Sequence, residues 1–167
     1  MWEYIQLALE NDQRLEKIKN IKWLREQKYY DNIVMLASHI CQTPISLVTI
    51  LTKDKQWFKS VKGLNITETD IAHSFCKHTI CNGMNEPLIV TDTLLDERFK
   101  DNELVLHYPH IRFYCGFPFI AMDGTHIGSM CVIDSVPREL DEEQKKCLAA
   151  LSEILRESVE IPISNIR

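Results

Sequence analysis

Residues 112–134, RFYCGFPFIAMDGTHIGSMCVID, hold two long apolar runs around one Asp123-Gly124 pair. An Asp-Gly pair between hydrophobic runs is a strong hairpin signal, because the favoured two-residue turn needs positive φ at both central positions. Apart from the turn and His126, the segment carries one charge at each end, Arg112 and Asp134. A hairpin this apolar has to be covered, so it commits the chain to a sheet with other layers packed on it. The reading pairs Arg112–Met122 with Thr125–Asp134. Setting Met122 against Thr125 brings Cys115 opposite Val132 and points Cys115 and Cys131 to opposite faces.

The elements around the hairpin follow from periodicity. Residues 3–25 contain no Gly or Pro and read as helix, although Ile5 and Leu9 suit one apolar stripe while Leu15 and Ile18 suit another. Ile33, Leu36, Ala37, Ile40 and Cys41 form a helical stripe that Pro44 ends. Ser46–Thr52 is β-branched and apolar on both faces, which predicts a central strand. A second strand follows over Gln56–Val61, then a loop over 62–73. The spacing predicts a short helix over Ser74–Cys81, stopped by Asn82-Gly83, and a short strand over Leu88–Thr91. Residues 92–111 form a long irregular connection, of the kind that serves as a lid or binding loop. Asp141 and Gln144 sit at capping-box spacing before a last helix whose apolar face is Leu148, Leu151, Ile154 and Leu155. The order describes an α+β domain with an antiparallel sheet. We divide it into an N-terminal helical extension (1–30), the domain itself (31–160) and a tail (161–167).

The chain of 167 residues has 45% hydrophobic residues and a net charge of −5. That balance argues against nucleic acid, which calls for a basic stripe. No apolar run approaches the length of a membrane span, and the acidic N-terminus lacks the basic start of a signal peptide. A cytoplasmic location is the expectation, with six reduced cysteines serving mainly as small core residues.

Few groups suggest catalysis. Cys76-Lys77-His78-Thr79-Ile80-Cys81 puts two thiols and an imidazole close together, but without the spacing of a four-ligand metal site. Nothing in the local sequence lowers a thiol pKa, so Cys76 and Cys81 are expected to be catalytically silent. No Ser/His/Asp motif, glycine-rich phosphate loop or His-Glu-x-x-His helix occurs. The expectation is a non-enzymatic chain with no metal and no assignable cofactor.

Six segments in order, LASHICQTPISLVTIL, QWFKSVKGL, SFCKHTI, LIVTDTLLDERFKDN, HIRFYCGFPFI and GSMCVIDSVPRELDEEQ, resemble the GAF domains of bacterial histidine kinases and diguanylate cyclases. The resemblance spans residues 31–158 and implies a PAS-related, six-stranded antiparallel sheet with helices packed on it. It also implies a sensory role, dimerisation through terminal helices and output to a separate effector protein. Family ligands are diverse. The Asn-Lys…Phe-Asp-Glu signature of cyclic-nucleotide members is not matched by Asp96-Glu97-Arg98-Phe99. The Cys-His pair of bilin-binding members is interrupted here as Cys76-Lys77-His78.

The expected function is therefore a GAF regulatory domain that binds an unidentified small molecule and signals through helices. Its alternatives are a thiol-dependent redox enzyme on the same fold and a ligand-free protein-interaction module. The expected pocket lies between the sheet, the Ser74–Cys81 helix and the loop 92–111. Trp57, Phe75, Phe99, Tyr114 and Phe117 are its predicted walls, and His78, Asp92, Asn102 and Arg112 its polar groups. Tyr114 and Phe117 have opposite strand parity, so both can serve only if Gly116-Phe117-Pro118 breaks the pleat.

Overall fold

A computed structural model of the chain describes residues 2–80 and 85–163. In order these form α1 (Trp2–Leu9), α2 (Asp12–Lys19), β1 (Lys22–Trp23), α3 (Gln27–Cys41), β2 (Ile45–Leu51), β3 (Lys55–Lys62) and β4 (Glu68–Asp70). There follow α4 (Cys76–Thr79), β5 (Leu88–Val90), α5 (Glu103–Leu106), β6 (Phe113–Ile120), β7 (His126–Asp134), α6 (Glu142–Arg156) and β8 (Val159–Glu160). Among the described residues, six strands make one antiparallel sheet in the order β4-β3-β2-β7-β6-β5. β2 is internal, as its two-sided apolar pattern predicts. β1 and β8 pair separately, Trp23 opposite Val159, and join the two ends of the domain.

The β6–β7 hairpin has the predicted register, Cys115 opposite Val132. Its turn differs from the expectation. Gly124 N–H bonds Ala121 O at 2.9 Å and Ala121 N–H bonds Thr125 O at 2.9 Å. Of Met122, Asp123 and Gly124, only Gly124 has positive φ, at 88°. This is a turn closed by a glycine bulge, and the pairing slips by one residue after Phe119. Asp123 turns its carboxylate onto Thr125 N–H at 2.9 Å instead of adopting positive φ. At Gly128 the backbone of β2 comes so close that a methyl group would overlap the Thr49 carbonyl.

One sheet face packs against α3 and α6, with Val48, Phe113, Cys115, Phe117, Phe119, Met130 and Val132 meeting Tyr30, Ile33, Val34, Leu148, Leu151 and Leu155. The helical stripes are rotated from those expected. α3 buries Tyr30, Ile33, Val34, Ala37, Ser38 and Cys41, leaving Leu36 43% exposed. The helix starts at Gln27, and Tyr30 sets the stripe by donating its hydroxyl to Ser158 O at 2.9 Å. Ile154 of α6 is likewise 43% exposed. The predicted capping box of α6 is present, with Asp141 and Gln144 each bonding the other's backbone N–H.

The opposite face is covered by α1, α4 and the segment 91–112, with Ile5, Leu9, Phe75, Ile80, Phe99, Val105 and Ile111 over Leu47, Leu51, Tyr114, Cys131 and Ile133. The expected single helix over 3–25 is two helices. Asn11 breaks it by accepting Arg14 N–H at 2.9 Å as the cap of α2. The change of apolar stripe between Leu9 and Leu15 is the sequence trace of that break. The expected loop 62–73 contains β4 and a 3-10 turn over Ile71–His73. The expected irregular connection 92–111 is folded locally, with Asp92 capping a 3-10 turn over Thr93–Leu95 and Asn102 capping α5. Cys81 and the Asn82-Gly83 helix stop lie outside the described residues, as does the end of the tail from residue 164.

Candidate functional site

Tyr114 stands at the middle of the second face, fully buried, and its hydroxyl organises the polar groups there. It lies 2.7 Å from Thr79 Oγ1, 3.5 Å from Ser129 Oγ and 3.4 Å from Cys76 Sγ, to which it donates. Ser129 N–H in turn bonds Thr49 Oγ1 at 3.1 Å. Gly116, two residues along the same strand, is bare because any Cβ there would overlap the tyrosine ring and hydroxyl. Burial and the neighbouring Cys76 and Cys131 sulfurs raise the Tyr114 pKa well above its ordinary value, so it remains a neutral donor.

Four of the predicted site residues meet around this core. Phe75 stacks on Phe99 with centroids 4.3 Å apart, Tyr114 tilts against Phe75 at 5.3 Å, and His78 presents its edge to Phe99 at 4.8 Å. Burial, reinforced by Lys77 and Arg98, pushes the His78 pKa down to about 4, so the imidazole is neutral near pH 7. Asn102 holds the loop to the preceding turn, donating from Nδ2 to His73 O at 3.3 Å. Asp92 and Arg112 form a two-pronged ion pair, both contacts at 3.0 Å, at the base of the loop. The Arg112 hydrogen bond holds the Asp92 carboxyl below its ordinary pKa.

Two predicted walls are elsewhere. Trp57 pairs with Ile50 on β2, which puts it on the α3 side of the sheet, where it is 45% exposed. Phe117 pairs with Met130 and is buried against the helices on that same side. The pleat through Gly116-Phe117-Pro118 is unbroken, because Pro118 pairs with Ser129 in regular register, so strand parity separates Phe117 from Tyr114. Sequence reasoning missed Thr49, Gln56, Thr79 and Ser129, and it weighed Cys76 and Cys131 without bringing them to Tyr114. The available signal was polar or small residues at alternate positions of β2 and β7, facing the same side as Tyr114.

The aromatic groups pack on one another and leave little space. The cavity lined by Gln56, Phe75, Cys76, Leu104, Ile111 and Tyr114 measures about 30 Å³. Pockets for small organic ligands run to several hundred Å³, on the order of 300–1,000. A larger open cleft of about 550 Å³ lies between α1, α2 and the β6–β7 turn, lined by Tyr4, Leu7, Asn11, Arg14, Lys17, Asp123 and His126 among others. Arg14 forms its floor. Its guanidinium donates to Ala8 O at 3.2 Å, to Leu51 O at 2.8 and 2.9 Å and to His126 O at 3.1 Å. Lys17 Nζ and Asp123 Oδ2 meet at 3.2 Å across the same cleft. Burial, and then Arg14, lower the His126 pKa.

A six-stranded antiparallel sheet with helices on one face and a partly helical segment folded over the other defines an α+β domain of PAS-like architecture. The GAF domain family model matches residues 26–158, and the chain belongs to that family. A cyclic di-GMP phosphodiesterase of Pseudomonas aeruginosa is 43% identical over 110 residues, 65% of this chain and 18% of that protein. The chain thus spans less than a fifth of that relative's length. Among solved structures, the GAF domain of a Coxiella burnetii phosphoenolpyruvate-protein phosphotransferase superposes with a TM-score of 0.65 at 13% identity, over 93% of this chain and 92% of that one. A free methionine-R-sulfoxide reductase of Neisseria meningitidis superposes with a TM-score of 0.63 at 15% identity, over 87% of this chain and 83% of that one. At such identities these structures speak to fold alone. Among the described residues no helix is long and apolar enough to cross a membrane.

Two outcomes follow from the geometry. Tyr114→Phe leaves the ring in place and strips Thr79 and Cys76 of a buried partner, and denaturant unfolding should show a loss of roughly 1–2 kcal/mol. The His78 imidazole should titrate in the folded protein near pH 4, against 6.5 for the unfolded group. Its contribution to stability is therefore full above pH 6.5 and is lost as the pH falls from there through 4, because the unfolded chain takes up the proton first. NMR of the imidazole resonances checks the folded value.

Proposed function

We propose that this chain is a regulatory GAF domain that controls a separate catalytic domain or protein, with its signal leaving through the helices at its two ends. Support comes from the family assignment and from the 43% identity to part of a cyclic di-GMP phosphodiesterase, which points to turnover of that nucleotide as the output under control. On this reading residues 1–30 are a helical extension of the 31–160 domain and form its movable arm. Catalysis belongs to the effector and not to this chain.

The single observation that carries the reading is the GAF family match over residues 26–158; the interior beside Tyr114, where the pocket was expected, is filled. With about 30 Å³ there, a small-molecule signal is better accommodated in the 550 Å³ cleft under α1 and α2. Lys17 and Asp123 offer one cation and one carboxylate at its mouth, suited to a small polar or zwitterionic ligand. Such a ligand would bear directly on the arm, since α1 and α2 form two of the cleft's walls.

Thermal unfolding against a panel of amino acids, nucleotides and cyclic di-GMP tests this. A ligand at 100 times its Kd should stabilise the protein by about 2.7 kcal/mol, and Lys17→Met with Asp123→Asn should remove the effect. A flat response to every compound would replace the sensor reading with that of a ligand-free interaction module. We also propose that the domain forms a homodimer through its terminal helices. Sedimentation at high micromolar concentration should give a dimer, and a monomer would remove that part of the proposal.

A further inference from the structure

Cys76 and Cys131 meet inside the buried polar cluster, one from the first turn of α4 and the other from the middle of β7. Both are buried in the same core on the second face of the sheet, and each perturbs the titration of the other. Tyr114 Oη donates to the Cys76 sulfur at 3.4 Å and lies 3.5 Å from Ser129 Oγ, which in turn lies 3.5 Å from Thr49 Oγ1. Cys76 also lines the 30 Å³ cavity, whose outer rim includes Leu64, Ile66, Leu104 and Pro109, with Ile66 39% exposed. A cavity of that volume admits a molecule about as large as one or two waters.

We propose that Cys76 and Cys131 are an oxidant-responsive pair that a small uncharged peroxide, hydrogen peroxide, converts into a disulfide between α4 and β7. The Cys76 sulfur attacks one peroxide oxygen and the O–O bond breaks. The sulfur keeps that oxygen as a sulfenic acid, and the other leaves as hydroxide, which becomes water with the proton lost from Cys76. The Cys131 sulfur then attacks the sulfenic sulfur. The S–O bond breaks, and the hydroxide released becomes a second water with the proton of Cys131. In sum, two thiols and one peroxide give one disulfide and two waters; each sulfur is oxidised and each peroxide oxygen is reduced.

The surroundings favour Cys76 as the attacking sulfur. Burial raises its pKa, but the surrounding polar groups, Cys131, Ser129, Tyr114 and Thr49, outweigh burial and lower it. Cys41 and Cys115, on the α3 side of the sheet, are pushed up to about 11 and 12 by burial. This corrects the expectation that nothing near Cys76 lowers its pKa. The new bond, about 2.05 Å long, draws α4 toward the sheet and removes the acceptor of Tyr114 Oη. Ile80, just beyond α4, shares a core with Ile5 and Leu9 of α1, so the displacement reaches the N-terminal arm.

The test uses the full chain with Cys147→Ser, which removes the exposed thiol on α6. The reduced protein is treated with stoichiometric hydrogen peroxide, unfolded in an alkylating agent and digested with trypsin. Cys76 should be found linked to the 113–138 peptide, with fragment spectra assigning the link to Cys131 and not Cys115, and dithiothreitol should reverse it. With Cys131→Ser added, dimedone should trap a sulfenic acid on Cys76, formed roughly tenfold faster than on Cys41 or Cys115. Full alkylation of both thiols after peroxide, or a link from Cys76 to Cys81, overturns the proposal. Both readouts are chemical and independent of any effector, so they stand apart from the regulatory reading.

Discussion

The hydroxyl of Tyr114 is fully buried, and a buried hydroxyl has to find its partners within the structure. Much of the second face of the sheet is arranged around that requirement. Thr79 comes from the end of α4, Cys76 from its start and Ser129 from the neighbouring strand, so one group ties α4 and β7 to β6. Gly116 is part of the same solution, because the ring folds back over the position where another residue would carry its Cβ. Around this centre the Phe75–Phe99 stack and the edge of His78 close the aromatic layer. The same packing that satisfies Tyr114 leaves room there for little more than solvent.

The two faces of the sheet serve different ends. Against α3 and α6 the core is almost wholly apolar, and its two cysteines have raised pKa values consistent with a dry interior. The opposite face mixes apolar residues with Thr49, Gln56, Ser74, Thr79 and Ser129, all buried and hydrogen-bonded. Such networks are costly to leave half-satisfied, which ties the conformation of α4 closely to that of the sheet. The surface ion pairs matter less, since exposed pairs contribute about 0–1 kcal/mol. Arg14 is different in kind. It is 9% exposed and draws carbonyls of α1, β2 and β7 together, so the helical arm is attached at one defined point.

These two features lie next to each other. Ile80 follows α4, borders the cleft beneath the arm and belongs to the core that holds Ile5 and Leu9. A change in α4, or in the cleft, therefore acts on the same few contacts of α1. The N-terminal arm is coupled to the interior by apolar packing and by Arg14, and the β1–β8 pair carries the path on to the end of α6.

Much of the fold was legible in the chain. The hairpin register, the central position of β2 and the α6 capping box are local consequences of alternation and capping chemistry, which residue order alone encodes. The break at Asn11 was visible as a change of stripe but readable as a break only once its cap was seen. The second face of the sheet was legible in part. Phe75, His78, Phe99 and Tyr114 do come together, whereas Trp57 and Phe117 look equally suitable in sequence and fall on the other side. Strand parity decides that, since Trp57 lies opposite Ile50 and Phe117 opposite Met130, both on the α3 side of the sheet. The meeting of Cys76 with Cys131 and the lodging of Arg14 among three carbonyls join residues 55 and more than 100 positions apart. Contacts of that kind are set by how layers stack, and only the tertiary structure fixes them.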